Sequence, residues 1–440
     1  MSKKLLRVFE HDPVLFDEVV LTIPKGERFA FPLNYRERVN RFHTASKGRY
    51  YDLINNGIKF RQYVGVIQIK DLTIEILPKV DRNNGQRESK SHWHNILIEM
   101  LQECKLLKPR AEQKANLQLR QHSILDLYLS VFVGELEFLL RAGLVKKYRK
   151  VEGNQLALKG AILFGKQLQV NYSHAERFYT RHSTYDHYHQ LHQVLYQALQ
   201  VCDQLITTGL LKDRINRLSR EWPIAKQVQI NPEIFLRLSA DRKAIPYQEA
   251  LLIAKMLLLN FHPEIQGGNE HVLALMFDMN RLWEEYVYQM LKGAEYDFGF
   301  KVHSQSGVDF WQAASADHAK SVIPDLLLEY NNGLKRTIID TKWKCPSDAM
   351  PDDNDLKQML AYKMYYHADE AILLYPNRSQ TFLSKGNFEN QVHWTATHED
   401  RRALKADLKT GCHMGFLNLL TESDHLVSKG EFNEELKQLL

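Results

Sequence analysis

Residues 323–344 read IPDLLLEYNNGLKRTIIDTKWK, and the way this stretch folds governs the reading of everything around it. Two apolar, β-type runs flank Asn331-Asn332-Gly333. Asn-Gly between such runs is the strongest short-range hairpin signal, because both residues tolerate positive φ. A two-residue turn at Asn332-Gly333 predicts that Asn331 faces Leu334 and Tyr330 faces Lys335. Counting outward then brings Asp325 opposite Asp340. Directly opposed side chains in an antiparallel pair lie about 4.5–5.5 Å apart at Cβ, where like charges repel unless something offsets them. A divalent cation does so. Side chains alternate faces along a strand, so Lys342 projects on the same side as Asp340. Leu326 to Leu328 and Ile338-Ile339 are apolar on both faces, as expected of central strands covered by helices.

A pair of carboxylates with a lysine suits phosphodiester hydrolysis. Hard oxygen ligands hold Mg²⁺, with Mn²⁺ able to substitute, which activates water and neutralises charge building on the phosphorane. A lysine ammonium orients the water or stabilises that charge. A third carboxylate is sought on the preceding helix, read as Met276 to Leu291. There Met279, Leu282, Trp283, Tyr286, Val287, Met290 and Leu291 form one apolar stripe, and Glu284 lies at its margin. Beyond the hairpin a helix is read from Asp355 to about Tyr366. Its Gln358 and Tyr362 share a face by their i, i+4 spacing and are placed as cleft-lining residues.

The 440 residues, 44% of them hydrophobic, provide for more than one core, which excludes a disordered chain. A net charge of +5 permits contact with a phosphate backbone without demanding it. Cys104, Cys202, Cys345 and Cys412 form no CxxC pair, so neither a zinc knuckle nor a disulfide framework is expected, and a reducing cytoplasm is the natural setting. No apolar run approaches the ~20 residues that span a bilayer, so no membrane role is expected. Absence of a GxxxxGK[ST] phosphate loop means that this chain alone is not expected to bind or hydrolyse GTP.

Changes in periodicity divide the chain. The expected fold class is multidomain, α+β / α/β, with a β-rich N-terminal domain carrying helices (1–165), a helical middle (166–265) and a C-terminal domain (266–440) with a mixed sheet flanked by helices. Strand-like runs lie at Glu18 to Ile23, Tyr63 to Ile69 and Asp71 to Leu77. Helical spacing covers Ser91 to about Lys150, with a basic run from Arg141 to Lys150 read as a solvated loop or a contact. It returns from Thr184 to about His262, and Gly267-Gly268 is a plausible hinge. Asn34 to Tyr51, NYRERVNRFHTASKGRYY, carries Arg36, Arg38 and Arg41 with too few apolar positions to bury this face. His189 and His192 stand at i, i+3, but without companion carboxylates they read as surface or satisfied core residues rather than zinc ligands.

Pro324-Asp325 followed by Asp340-Thr341-Lys342 resembles the PD-(D/E)xK nuclease signature, with Glu284 matching its helical glutamate and Gln358 and Tyr362 the QxxxY element of its RecB-like branch. A likeness over nearly the whole chain is to the McrC family, nuclease subunits of McrBC systems that restrict modified-cytosine DNA. It is carried by YVGVIQIKDLTIEILPKV (63–80), AGLVKKYRKVEGNQLALKGAILF (142–164), RFYTRHSTYD (177–186) and the order LWEEYV, PD, DTK, QMLAY. One departure is that His187, His189 and His192 stand where the family usually has an asparagine-bearing helix start.

The resemblance implies a Mg²⁺-dependent endodeoxyribonuclease with Asp325, Asp340, Lys342 and Glu284 catalytic, three of them (Asp325, Asp340, Glu284) binding metal. It implies an McrB-like AAA+ GTPase hexamer as partner, GTP used only through that partner, double-stranded DNA as substrate, and pairs of nuclease subunits acting during cleavage. Arg36, Arg38 and Arg41 are then candidates for docking on the ring, where charge sets specificity and on-rate. The alternative is a stand-alone RecB-like repair or recombination nuclease, which shares the catalytic residues but has no need of the N-terminal β-domain.

Overall fold

A computed structural model describes residues 4–17, 30–32, 35–69, 72–80, 90–109, 123–206, 209–223, 227–263, 271–312, 319–344, 346, 350–378, 380–388, 411–421 and 424–440. The strand expected at Glu18 to Ile23 and the hinge at Gly267-Gly268 lie outside them, as does Cys345. The elements begin with β1 (Lys4–Phe9), β2 (Pro13–Asp17), β3 (Ala30–Pro32), α1 (Arg36–Ala45), β4 (Tyr51–Ile54), β5 (Gly57–Phe60), β6 (Tyr63–Ile69) and β7 (Leu72–Leu77). Next come α2 (Lys90–Glu103), α3 (Ile124–Ala142), β8 (Lys147–Gln155), β9 (Ala161–Ile162), α4 (Phe164–Val170) and β10 (Phe178–Asp186). Helices α5 (Gln190–Leu205), α6 (Leu210–Glu221), α7 (Pro232–Ser239) and α8 (Gln248–Leu259) follow, then β11 (Phe261–Pro263) and β12 (His271–Asp278). The last part holds α9 (Met279–Phe298), β13 (Phe300–Ser304), β14 (Val308–Gln312), β15 (Ala319–Val322), β16 (Leu326–Tyr330) and β17 (Lys335–Thr341). It closes with α10 (Asp353–Tyr366), β18 (Glu370–Asn377), β19 (Phe382–Ser384), β20 (Cys412–Asn418) and α11 (Lys429–Leu439). This is the mixed α and β content expected of the sequence. Among the described residues no helix is long and apolar enough to cross a membrane.

The chain falls into two compact units, one of residues 1–4, 67–73 and 108–275, the other of 5–66, 74–107 and 276–440. A five-stranded sheet has the order β1-β7-β6-β12-β11. In the first unit α3 begins at Ser123, whose hydroxyl caps Asp126 N–H, and buries Leu125, Tyr128 and Phe132. The basic run read as a solvated loop or a contact ends in a strand. From Lys147 it forms β8, paired antiparallel with β10 from Asp186↔Lys147 to Phe178↔Gln155. Arg149 reaches Asp186 across this pair at 2.9 Å. Its side chains alternate only between exposed and half-buried, so no apolar period marks the strand.

In the second unit β3-β2-β5-β4 form one sheet. The segment expected to expose its basic face is mostly α1, where Val39 and Phe42 are buried, as are the flanking Tyr35, Tyr50 and Tyr51. A six-stranded mixed sheet, order β13-β16-β17-β18-β20-β19, carries the C-terminal part. Period-2 alternation gives it two apolar faces. Leu327, Ile338, Leu373 and Phe416 cluster with Met359, Tyr362 and Tyr366 of α10. Ile339, Ile372 and Leu374 face Val287 and Leu291 of α9 together with Phe432 and Leu436 of α11. Helix α9 keeps the predicted stripe buried and runs on to Phe298, where Gly299 at φ 69° ends it. Asp278 caps its start by accepting from Asn280 N–H.

Candidate active site

The site is built on β16, β17 and two of the helices flanking the sheet, α9 and α10. Antiparallel pairing of β16 with β17 runs from Leu326↔Ile339 to Tyr330↔Lys335, the register counted from the turn. The turn differs in kind. Asn331, Asn332 and Gly333 all take positive φ (49°, 55° and 90°), so the reversal uses three left-handed residues in place of a two-residue turn. The register survives because Tyr330 and Lys335 still close the loop.

Asp325 stands one residue before β16, beyond the last paired position. There its Oδ2 accepts from Thr341 N–H at 2.7 Å and from the Thr341 hydroxyl at 2.8 Å. Asp340 is 2% exposed near the end of β17. Burial first, and the Asp325 carboxylate second, push its carboxyl up to about 6, with the Lys342 ammonium pulling the other way. Lys342 Nζ lies 2.7 Å from Asp340 Oδ2 and 3.3 Å from Asp355 Oδ1. Burial works against its charge, but the attraction of Asp340 and Asp355 outweighs it and raises its pKa. Lys342 N–H donates to Leu374 O at 2.9 Å, extending the parallel pairing one residue past β17.

Glu284, half-buried on α9, is pushed up to about 7, chiefly by burial, then by Asp325 and more weakly by Asp340. The side-chain amide of Gln305 donates to its Oε1. Gln305 N–H also donates to Asp325 O at 3.1 Å. From the opposite face, Gln358 Oε1 of α10 is 3.4 Å from Lys342 Nζ and its amide donates to Tyr362 OH. That hydroxyl donates to Ile323 O at 2.8 Å. Tyr362 is pushed up to about 12, mainly by burial and then by Asp340. All six residues read as catalytic or cleft-lining thus fall in one neighbourhood.

Thr341, Gln305 and Asp355 were missed as site residues. Thr341 stood inside the quoted stretch, between Asp340 and Lys342, and was given no role. Asp355 was the chosen helix start. Gln305 carries no signal of its own, since only the turn after β13 brings it to Glu284.

An oxygen-rich set in which burial and the Asp325 carboxylate push up the carboxyls of Asp340 and Glu284 fits a hard divalent cation. Asp340 Oδ2 is a buried oxygen paired with the Lys342 ammonium at 2.7 Å. Among the described residues, however, no three His, Cys, Asp or Glu side chains are drawn into a complete metal-holding set. Each carboxylate already has a protein partner: Thr341 for Asp325, Gln305 for Glu284 and Lys342 for Asp340.

The remaining candidates sit on other elements. Arg36, Arg38 and Arg41 sit on α1, with Arg41 bonded to Glu37 and Arg38 over the Tyr35 ring at 5.5 Å. His192 is fully buried, with Nδ1 2.7 Å from His187 O and Nε2 3.3 Å from Tyr247 OH, which makes it a satisfied core histidine. Burial holds it down to about 4.

A search of curated protein sequences finds no match. Among solved structures, a refined half-complex from a tetradecameric assembly of Thermococcus gammatolerans McrB AAA+ hexamers with bound McrC holds a chain of the same fold. It aligns at TM-score 0.68 and 16% identity, over 99% of this chain and 100% of that one. A chain of the cryo-EM structure of the Thermococcus gammatolerans McrBC complex aligns at TM-score 0.49 and 18% identity, over 66% of this chain and 87% of that one. Residues 58–376, from within β5 to within β18, match the profile of the McrBC 5-methylcytosine restriction system component, a span holding every residue of the six-residue site. The chain belongs to that family.

Proposed function

We propose that this chain is the Mg²⁺-dependent endodeoxyribonuclease subunit of an McrBC-type system, of PD-(D/E)xK type, cutting double-stranded DNA with an McrB-like AAA+ GTPase. The observation that carries the proposal is the joining of Asp325, Asp340 and Lys342 at the open end of β16 and β17, with Glu284 close enough for its carboxyl to be raised by both aspartates. Asp325, Asp340 and Glu284 are the residues that would hold the metal, which when bound supplies an activated water and offsets charge on the phosphate. Lys342, already held between Asp340 and Asp355, positions its ammonium beside the attacked phosphorus and stabilises developing charge. Thr341 fixes the orientation of Asp325. Gln358 and Tyr362 line the cleft and steady the lysine. Cutting both strands takes two such sites, so nuclease subunits act in pairs.

The partner hydrolyses GTP, and this chain stimulates it. The basic face of α1, carrying Arg36, Arg38 and Arg41, is assigned to docking on the ring, where its charge complements an acidic surface.

The test combines this chain, an McrB-like AAA+ GTPase, GTP and plasmid DNA carrying 5-methylcytosine. Mg²⁺ or Mn²⁺ is expected to support cleavage and Ca²⁺ not, because the larger, more flexibly coordinated ion fills oxygen sites without activating water comparably. Equal cutting rates in Ca²⁺, or undiminished cutting in excess chelator, contradict the proposal.

A further inference from the structure

The buried carboxylate of Glu10 has no part in the mechanism above. It stands immediately after β1, is 0% exposed, and is held to the strand beside it by its own N–H, which donates to Leu77 O at 2.9 Å. One of its oxygens, Oε1, accepts two bonds: Lys79 N–H at 2.9 Å and the indole N–H of Trp343 at 2.6 Å. Trp343 is the residue directly after Lys342.

We infer that Glu10 is a positioning residue of the nuclease site, acting through Trp343. Strand β17 ends at Thr341, and the chain then turns sharply, with Lys344 N–H donating back to Lys342 O at 2.9 Å. A side chain on such a turn is aimed by whatever pins the turn. Trp343 is that pin. It is buried, its ring lies 5.8 Å from the ring of Trp283, and its indole N–H, out of water, needs an acceptor. Glu10 Oε1 provides one at 2.6 Å. Trp283 in turn directly precedes Glu284, and its own N–H reaches Leu374 O at 3.4 Å, the same carbonyl that receives Lys342 N–H. Through one tryptophan pair, Glu10 therefore fixes the backbone beside both Lys342 and Glu284. Nothing in the primary sequence signals this, because Glu10 and Trp343 are 333 positions apart.

The inference rests on the nuclease reading, and the experiment separates the two. Glu10→Ala, Glu10→Gln and Trp343→Phe are compared with wild type, each with the partner GTPase, in DNA cleavage at varied DNA concentration. Glu10→Ala is expected to cut 10–100-fold more slowly at saturating DNA, the usual cost of losing a group that orients a functional residue, with half-saturation within about twofold of wild type. Glu10→Gln keeps an oxygen that accepts both bonds and should stay within about threefold of the wild-type rate. Trp343→Phe keeps the ring but loses the donor, slows cleavage in the same sense, and carries the test if Glu10→Ala does not fold. A second readout is independent of activity. Acrylamide quenching of tryptophan fluorescence should rise in Glu10→Ala over wild type, and that rise should vanish when both chains carry Trp343→Phe. A folded Glu10→Ala with wild-type rate and quenching overturns the inference, as does a Glu10→Gln as slow as Glu10→Ala. Failure of the wild type to cut overturns the nuclease reading, and the inference with it.

Discussion

Thr341 shows how much a single residue contributes to this site. Its N–H and its hydroxyl both reach Asp325 Oδ2, so it fixes the one aspartate that lies outside the paired strands. Valine keeps the shape and the N–H but loses the hydroxyl. A hydrogen bond to a charged group is worth about 1.5–3 kcal/mol, and each 1.36 kcal/mol is tenfold in rate. Thr341→Val is therefore expected to slow DNA cleavage about tenfold or more, while a thermal melt shows a folded protein. An unchanged cleavage rate would mean that the backbone N–H alone orients Asp325. At this scale the sequence was informative where chemistry is carried by neighbours in a strand. It was silent where the partner comes from another element, as with Gln305 on Glu284 and Asp355 on Lys342.

Among the elements, the hairpin of β16 and β17 decides the site, because a one-residue slip would turn Asp340 to the other face of the sheet. The register was legible because side-chain period and the Asn-Asn-Gly signal agree. The turn type was not, since a loop of three left-handed residues and a two-residue turn leave the same outer pairs facing. Gly333, at φ 90°, is the position where a side chain is most strained. Gly333→Val is expected to cost about 1–3 kcal/mol, seen as a lower melting temperature, with residual cleavage by the folded fraction if the register holds. A melting temperature equal to wild type would show that the loop relaxes without strain. The start of β8 lacks apolar alternation, so the basic run that enters it was read as a solvated loop or a contact and not as a strand. α1 has few apolar residues: Val39 and Phe42, with Tyr35, Tyr50 and Tyr51, bury one side, while Arg36 and Arg41 stay exposed on the basic face, as their surroundings in the sequence implied.

For the whole molecule, the proposed division gives DNA cutting to residues around the six-stranded sheet and stimulation of the GTPase to surfaces elsewhere on the chain. The sequence indicated this division through its resemblance, since no physical pattern within one chain specifies a partner's nucleotide chemistry. Asp340 is the sharpest probe, being buried, central and paired with Lys342. The decisive measurement is a side-by-side assay of wild type and Asp340→Ala with the partner GTPase, scoring cleavage of 5-methylcytosine plasmid and GTP turnover in the same reaction. The account predicts that Asp340→Ala, folded by thermal melt, loses cleavage by at least 100-fold, about 2.7 kcal/mol of transition-state stabilisation, and still stimulates GTP turnover as wild type does. Cleavage retained by Asp340→Ala would contradict the nuclease assignment, and loss of both activities in the folded variant would contradict the separation of cutting from stimulation.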